Sequence, residues 1–364
     1  MRWTIPLGRL FGIRIELHVT FLLFIGWIAV EQGLLRGELA AALDAVLLLL
    51  LVFACVLLHE LGHALAARRY GIATRDIVLL PIGGVARLTR MPDKPAQEIV
   101  VALAGPAVNV GIGLLLALVL YGTGQPIVTP RLSGGPLEAL LLVNGLMVLF
   151  NMIPAFPMDG GRVLRALLAM AMPYAKATRI AAGVGQSIAL VLGVVGLLNH
   201  MPTLPIIALF VFLAAGEERT AAQTRVSLAG VPVEAAMLKE FHHLTVHDPL
   251  RRAAEHLMRG SQQDFPVLDG DQLVGVLTRD ELVRALQSRG ADLPVGEVVR
   301  HDGPRANADE PLDGAVARMR ANGRSALPVV RDGRLVGLLT IENIGDLLLV
   351  RDALRRFADG RRSA

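Results

Sequence analysis

Apolar positions fall into long unbroken runs up to about residue 216 and into short alternating stretches beyond it. Six runs stand out, at about Val19–Leu35, Ala41–Ala67, Gln97–Tyr121, Pro136–Ile153, Ile180–Leu198 and Leu204–Ala215, the last being the shortest. A hydrocarbon core about 30 Å thick takes roughly 20 apolar helical residues to cross. The pattern therefore predicts about six transmembrane helices. Met1–His18 alternates loosely, with Phe11, Ile13, Ile15 and Leu17 set against Arg14 and Glu16, and predicts a short strand or an interfacial segment. Its charges also argue against removal as a signal peptide. Ile77–Leu88 is β-branched, broken by Pro81 and Gly83-Gly84, and too short to span, which predicts a membrane-associated β hairpin. Gly105-Pro106 predicts a break in the third apolar helix, at membrane depth.

After the last apolar run the sequence repeats at an offset of 62: Pro249-Leu250 returns as Pro311-Leu312, and Leu273-Val274-Gly275-Val276-Leu277-Thr278 as Leu335-Val336-Gly337-Leu338-Leu339-Thr340. Each copy reads helix, strand, turn, strand, helix, and two such copies pack as a pseudo-twofold pair. The expected organisation is a membrane domain over 1–218, a linker over 219–230, a repeat pair over 231–350 (231–291 and 293–350) and a charged tail over 351–364. The fold class is a polytopic α-helical membrane protein joined to an α/β pair.

Composition supports the division. Hydrophobic residues make up 53% of the 364 positions, and the mean hydropathy is +0.53, too apolar for an ordinary soluble enzyme. The net charge of +4 could suggest nucleic acid, but the basic residues cluster at the ends of apolar runs, where topology signals belong, so no nucleic-acid partner is expected. Six spans leave 13 Lys and Arg on one side of the membrane against Arg36 and Arg131 on the other. That imbalance predicts a multi-pass cell-membrane (inner-membrane) protein with both termini and the repeat pair in the cytoplasm. One cysteine, Cys55, excludes an intramolecular disulfide.

The second apolar run ends in His59-Glu60-Leu61-Gly62-His63. Imidazoles four residues apart share a helix face and can grip one metal, with Glu60 beside the open position. Ionisable groups inside a bilayer are costly and mark functional sites. A catalytic zinc needs three protein ligands. Asp159 offers the third, because the runs carrying it and the His pair both finish at the same predicted membrane face.

HELGH, the PIGG stretch at 81–84, GPAVN at 105–109 and NMIPAFPMDGGR at 151–162 together resemble the site-2 protease family of intramembrane zinc metallopeptidases. With the tandem repeat, the chain is similar to the branch carrying cystathionine-β-synthase-type (CBS) domains. The resemblance implies one Zn2+ held by His59, His63 and Asp159, with Glu60 as catalytic base. It implies that Asn151 assists substrate or transition-state binding, with Asn109 either a second such group or an amide satisfying backbone freed by Pro106. It also implies that Ile82, Gly83 and Gly84 border a strand edge for an extended substrate, the alternative being a hairpin that only plugs the cavity.

Paired CBS repeats bind adenine nucleotides through Gly-x-x-Thr-x-x-Asp, which points to Thr278 and Thr340 as cofactor-binding residues. The last position is Glu281 in one copy and Asn343 in the other, so a purely dimerising role stands beside nucleotide binding. The implied partners are a single-span membrane-protein substrate, the lipid bilayer, an adenine nucleotide and a second copy of the chain through the CBS pair. The alternative function is a CBS-regulated metal or ion transporter. It lacks support in one respect: no internal repeat is visible among the apolar runs.

Overall fold

The structure is a computed structural model describing residues 3–35, 37–81, 83–92, 94–124, 135–301 and 303–362, with the side chains of 225, 352 and 355–362 left aside. The chain forms two compact units, Met1–Gln223 and Thr224–Ala364.

The first unit begins with strands β1 (Thr4–Leu10) and β2 (Ile13–His18), followed by helix α1 (Val19–Ala29), a π turn at Val30–Leu35 and the long helix α2 (Leu39–Arg68). Strands β3 (Thr74–Leu80) and β4 (Gly83–Leu88) form the expected hairpin, but not in isolation. They complete a four-stranded sheet in the order β1-β2-β3-β4, with β2 parallel to β3 and the other pairs antiparallel. The loose alternation before residue 19 is thus a hairpin of its own. Its second strand turns Ile13, Ile15 and Leu17 inward, and they share a core with Ile77, Leu79, Phe21 and the α2 residues Phe53, Val56, Leu61 and Ala64. The sheet is thereby seated against α2 at the level of the HELGH stretch.

Helices α3 (Pro95–Gly122), α4 (Pro136–Asn151), α5 (Asp159–Ala169), α6 (Tyr174–Leu198) and the part of α7 (Thr203–Leu228) up to Gln223 complete the unit. Among the described residues, α2, α3 and α6 are long and apolar enough to cross a membrane; Val19–Leu35 and Pro136–Asn151 are shorter apolar helices. The last expected span is the first half of α7, and α5 is a short helix that no apolar run announces. Leu43, Leu47 and Leu50 on α2 and Leu190, Val191 and Leu197 on α6 are exposed, an outward apolar surface that suits lipid rather than water.

Two local expectations differ from the structure. Helix α3 passes through Pro106 without a break. Close packing against α2 supports it there: the helices approach so closely that a Cβ on Gly62 would lie 2.8 Å from the Ala104 carbonyl oxygen, and a neighbouring helix of this kind is what lets a proline sit within an apolar helix. The segment read as a linker, 219–230, is helical to Leu228, whose side chain is buried in the core of the second unit. The charged segment 351–364 likewise continues helix α11 to Arg362.

In the second unit, β5 (Leu244–Thr245), α8 (Leu250–Arg259), β6 (Phe265–Asp269), β7 (Gln272–Leu277) and α9 (Arg279–Arg289) recur as β8 (Ala306–Asn307), α10 (Leu312–Asn322), β9 (Ala326–Arg331), β10 (Arg334–Thr340) and α11 (Ile341–Arg362). The sheets run β5-β6-β7 and β10-β9-β8. The copies exchange their opening segments. Val231, Val233 and Ala236 pack in the core built by α10, β9 and β10, whereas Val295 and Val299 pack in the one built by α8, β6 and β7. The reciprocal bridges Pro232–Pro311 and Pro249–Pro294 carry the same pseudo-twofold relation. Neither copy closes its core alone, so the sequence units 231–291 and 293–350 do not coincide with the two cores.

Candidate metal centre

His59 and His63 project from one face of α2 and are both buried. Asp159, buried as well, opens α5 directly after the turn that follows α4. Nε2 of His59 lies 3.1 Å from Nε2 of His63, and Asp159 Oδ2 lies 3.3 Å from the first and 3.1 Å from the second. His63 Nδ1 donates to the Val101 carbonyl oxygen at 2.7 Å, leaving a lone pair on Nε2 turned toward the other two atoms. Zinc bonds of about 2.0–2.1 Å at tetrahedral angles would put donor atoms about 3.3 Å apart, so this triangle has the size of one face of a zinc tetrahedron. Among the described residues this is the one group of three metal-binding side chains whose donor atoms converge, all within 4.8 Å of one another.

Helix α3 closes one side of the triangle. Gly105 lies against both imidazoles, and a Cβ there would come within 2.2 Å of His63 Nε2 and 2.7 Å of His59 Nε2. On the other side, Glu60 is half-buried against β4: its Oε2 accepts the Ala86 amide at 3.1 Å, and a Cβ on Gly84 would sit 2.6 Å from its Cγ. Gly105 of GPAVN and Gly84 of PIGG thus have a common physical reason, which is access of backbone to the HELGH helix.

The remaining expected residues are less concentrated. Gly83 begins β4, and Ile82 lies outside the described residues. Asn151 is the half-buried last residue of α4. Asn109 sits one turn beyond Gly105 on α3, 1% exposed, and neither of its amide atoms has a hydrogen-bond partner among the described residues. It therefore does not repair the backbone freed by Pro106. In the second unit, Thr278 caps α9: its hydroxyl donates to Glu281 Oε2 at 2.9 Å and accepts the Glu281 amide at 3.3 Å. Thr340 makes the corresponding contacts with Asn343, at 2.6 and 3.2 Å. A cleft between the copies is lined by Gly275, Gly303, Pro304, Arg305 and Arg324, with neither threonine on its wall.

A donor triangle of zinc dimensions with a further carboxylate, Glu60, one residue from the first donor is the outline of a metallohydrolase, and here two of its three donors are carried on a helix long and apolar enough to cross a bilayer. Comparison with known proteins agrees with that class. The family model for peptidase family M50 matches residues 47–134 and 133–192, and that for the CBS domain matches 233–288 and 295–349. Zinc metalloprotease MJ0392 of Methanocaldococcus jannaschii is 34% identical over 76% of this chain and 78% of its own. Rip3 of Mycobacterium tuberculosis is 30% identical over 96% of this chain and 93% of its own. The solved site-2 protease from Methanocaldococcus jannaschii is 39% identical, covering 60% of this chain and 95% of that one, with a TM-score of 0.45. The chain belongs to peptidase family M50, the site-2 protease type of zinc metalloendopeptidase, and carries a tandem CBS pair.

Proposed function

We propose that this protein hydrolyses a peptide bond in or near a transmembrane segment of a single-span membrane protein, with His59, His63 and Asp159 holding one Zn2+ and Glu60 acting as base. The observation that carries the reading is the triangle of Nε2, Nε2 and Oδ2 atoms 3.1 to 3.3 Å apart, its two imidazoles on the helix that also bears Glu60. When bound, zinc would lower the pKa of a water to about 7 and polarise the scissile carbonyl. Glu60 takes the proton of the attacking water and delivers it to the leaving amine. Gly105 and the apolar α2 and α3 surfaces keep the site narrow and exclude bulk water.

A substrate must be extended to be cut, because helical hydrogen bonds lock its amides. Strand β4 is a sheet edge beside Glu60. Since the Ala86 amide points to Glu60 rather than to β3, strand alternation gives Gly84, Ala86 and Leu88 the outward backbone groups. Pairing of the substrate there is β-augmentation, and it gives Gly83 and Gly84 their place in recognition. Asn151 and Asn109 would bind the substrate carbonyl or its developing charge. The excess of basic residues on one set of loops favours cytoplasmic termini and a cytoplasmic CBS pair in the cell membrane.

The CBS pair would tune cleavage, as a dimer, on binding an adenine nucleotide in the cleft beside Arg305 and Arg324, with Thr278 and Thr340 turning from their caps toward the ribose. Glu60→Gln tests the central reading: zinc analysis should give wild-type metal content, turnover should fall by about 10²-fold or more, and an uncleaved single-span protein should accumulate. Loss of ion flux with no accumulating protein would instead select a transporter.

A further inference from the structure

Helix α5 presents Asp159 from its first residue, yet it is only 11 residues long and lies outside the apolar runs. Two contacts fix its first turn. A Cβ on Gly160 would meet the Ile153 carbonyl oxygen at 2.4 Å, and one on Gly161 would meet the Ala155 carbonyl carbon at 2.7 Å. The helix start is thus seated on the preceding turn.

Its second turn carries Arg165, 1% exposed and the largest fully buried side chain among the described residues. Nε and Nη2 donate to Glu98 Oε1 at 2.8 and 2.5 Å, and Nη1 donates to Glu218 Oε2 at 2.9 Å. The guanidinium lies over Phe156 at 5.0 Å and Tyr174 at 5.1 Å, and Phe156 belongs to the turn that leads into Asp159. One side chain therefore joins α5 to α3, to α7 and to the ligand-bearing turn.

Glu98 stands on the helix that also meets the imidazoles. Glu98 and Gly105 are seven residues apart, about two turns and roughly 10 Å along the axis, so they share a face of α3. Between them, Val101 accepts the His63 Nδ1 proton. Helix α3 is then a common frame: Val101 and Gly105 locate the His pair, and Glu98 locates α5 through Arg165. One buried cation among two carboxylates is costly to desolvate, and apolar side chains of similar volume would commonly stabilise the fold at least as well. What they could not supply is a planar fork with fixed direction.

We infer that Arg165, gripped by Glu98 and Glu218, is a positioning residue that holds the Asp159 carboxylate at donor distance from His59 and His63. The inference rests on the reading of those three as metal ligands. It predicts that zinc affinity, and not only stability, depends on the fork.

The test uses the full chain in detergent with zinc affinity read by competition against a chelating dye, and Co2+ loaded in place of zinc to read ligand geometry from its visible spectrum. Arg165→Lys keeps the charge and loses the fork. Arg165→Leu with Glu98→Leu removes the buried pair together and leaves only Glu218, whose side chain reaches solvent, without its partner. Both should bind zinc 10- to 100-fold more weakly, the usual effect of removing support from a metal ligand, with a shifted Co2+ spectrum and an intact thermal transition. Wild-type zinc affinity and Co2+ spectrum in either folded variant would overturn the role, and Arg165→Lys decides alone should the double variant not fold. Asp159→Asn is run beside them. Unchanged affinity in that variant would remove Asp159 as a ligand, and the positioning role with it, whereas loss there with no loss in the Arg165 variants defeats the positioning role alone.

Discussion

Gly105 on α3 rests against His63 on α2, with room for a hydrogen but not for a methyl group: an added Cβ would stand 2.2 Å from the imidazole Nε2. The contact makes a backbone position on one apolar helix part of the wall of the proposed metal centre, whose two imidazoles stand on another. Gly105→Ala should therefore abolish stoichiometric zinc binding while Gly113→Ala, whose Cβ meets only Leu141 at 3.8 Å, leaves it intact. Metal analysis of the purified variants checks this, and full zinc content in Gly105→Ala would contradict the geometry.

The edge strand gives a second prediction. Leu79 is paired on both sides, to Leu17 of β2 and Gly84 of β4, so proline there would break the sheet itself. Val85 faces β3 through its amide by the same alternation that turns Ala86 outward. Ala86→Pro removes a donor that no sheet bond uses, one that meets Glu60 Oε2 until a substrate strand takes it, so Glu60→Gln is run beside it to give the loss due to Glu60 alone. Cleavage of a single-span substrate should fall at least 10-fold with zinc content unchanged; undiminished cleavage would argue that substrate does not pair with β4.

Asp264 provides a pH dependence in the second unit. Burial holds its carboxyl above the ordinary carboxylate range, against hydrogen bonds from Ser325 Oγ at 2.7 Å and the Arg279 amide at 3.2 Å. With the folded pKa above the unfolded one, the folded state binds the proton more tightly, so stability is greatest below the unfolded pKa and declines as pH rises through the folded one. Asp264→Asn should flatten this decline in melts of Thr224–Ala364 taken between pH 3.5 and 7, a window set by the unperturbed aspartate value of about 3.9.

Thr278 should matter to stability whether or not a nucleotide binds. It closes a capping box with Glu281 at the start of α9, and removing such a cap costs about 1 kcal/mol. Thr278→Ala should lower the melting temperature of the second unit by a few degrees. Calorimetry of the same fragment with ATP, ADP and AMP separates the two roles, since heat lost in the variant alone marks the threonine as a ligand contact.

Much of this molecule was legible along the chain. HELGH at helical spacing, Asp159 at the end of a following run and the offset of 62 each depend on local periodicity, which a sequence states directly. Lipid-suited helices are also local, because composition alone makes an apolar run costly to leave in water. Other features were out of reach because they depend on which surfaces meet. The first hairpin became part of a four-stranded sheet only through its parallel pairing with β3. The repeat copies exchange their opening segments, which no offset reveals. Pro106 looked like a break, but the helix runs through it, supported by close packing on α2.

The sequence by itself named the proposed donors: two imidazoles one turn apart and a carboxylate with the chemistry to join them. Tertiary structure decided their distances, through Val101 and Gly105 on one helix and the Arg165 fork on another. A helix fixes separations only within itself. The spacing between a residue on α2 and one on α5, 96 positions later, is set by whatever packs between them, and here that is a face of α3 read from Glu98 to Gly105.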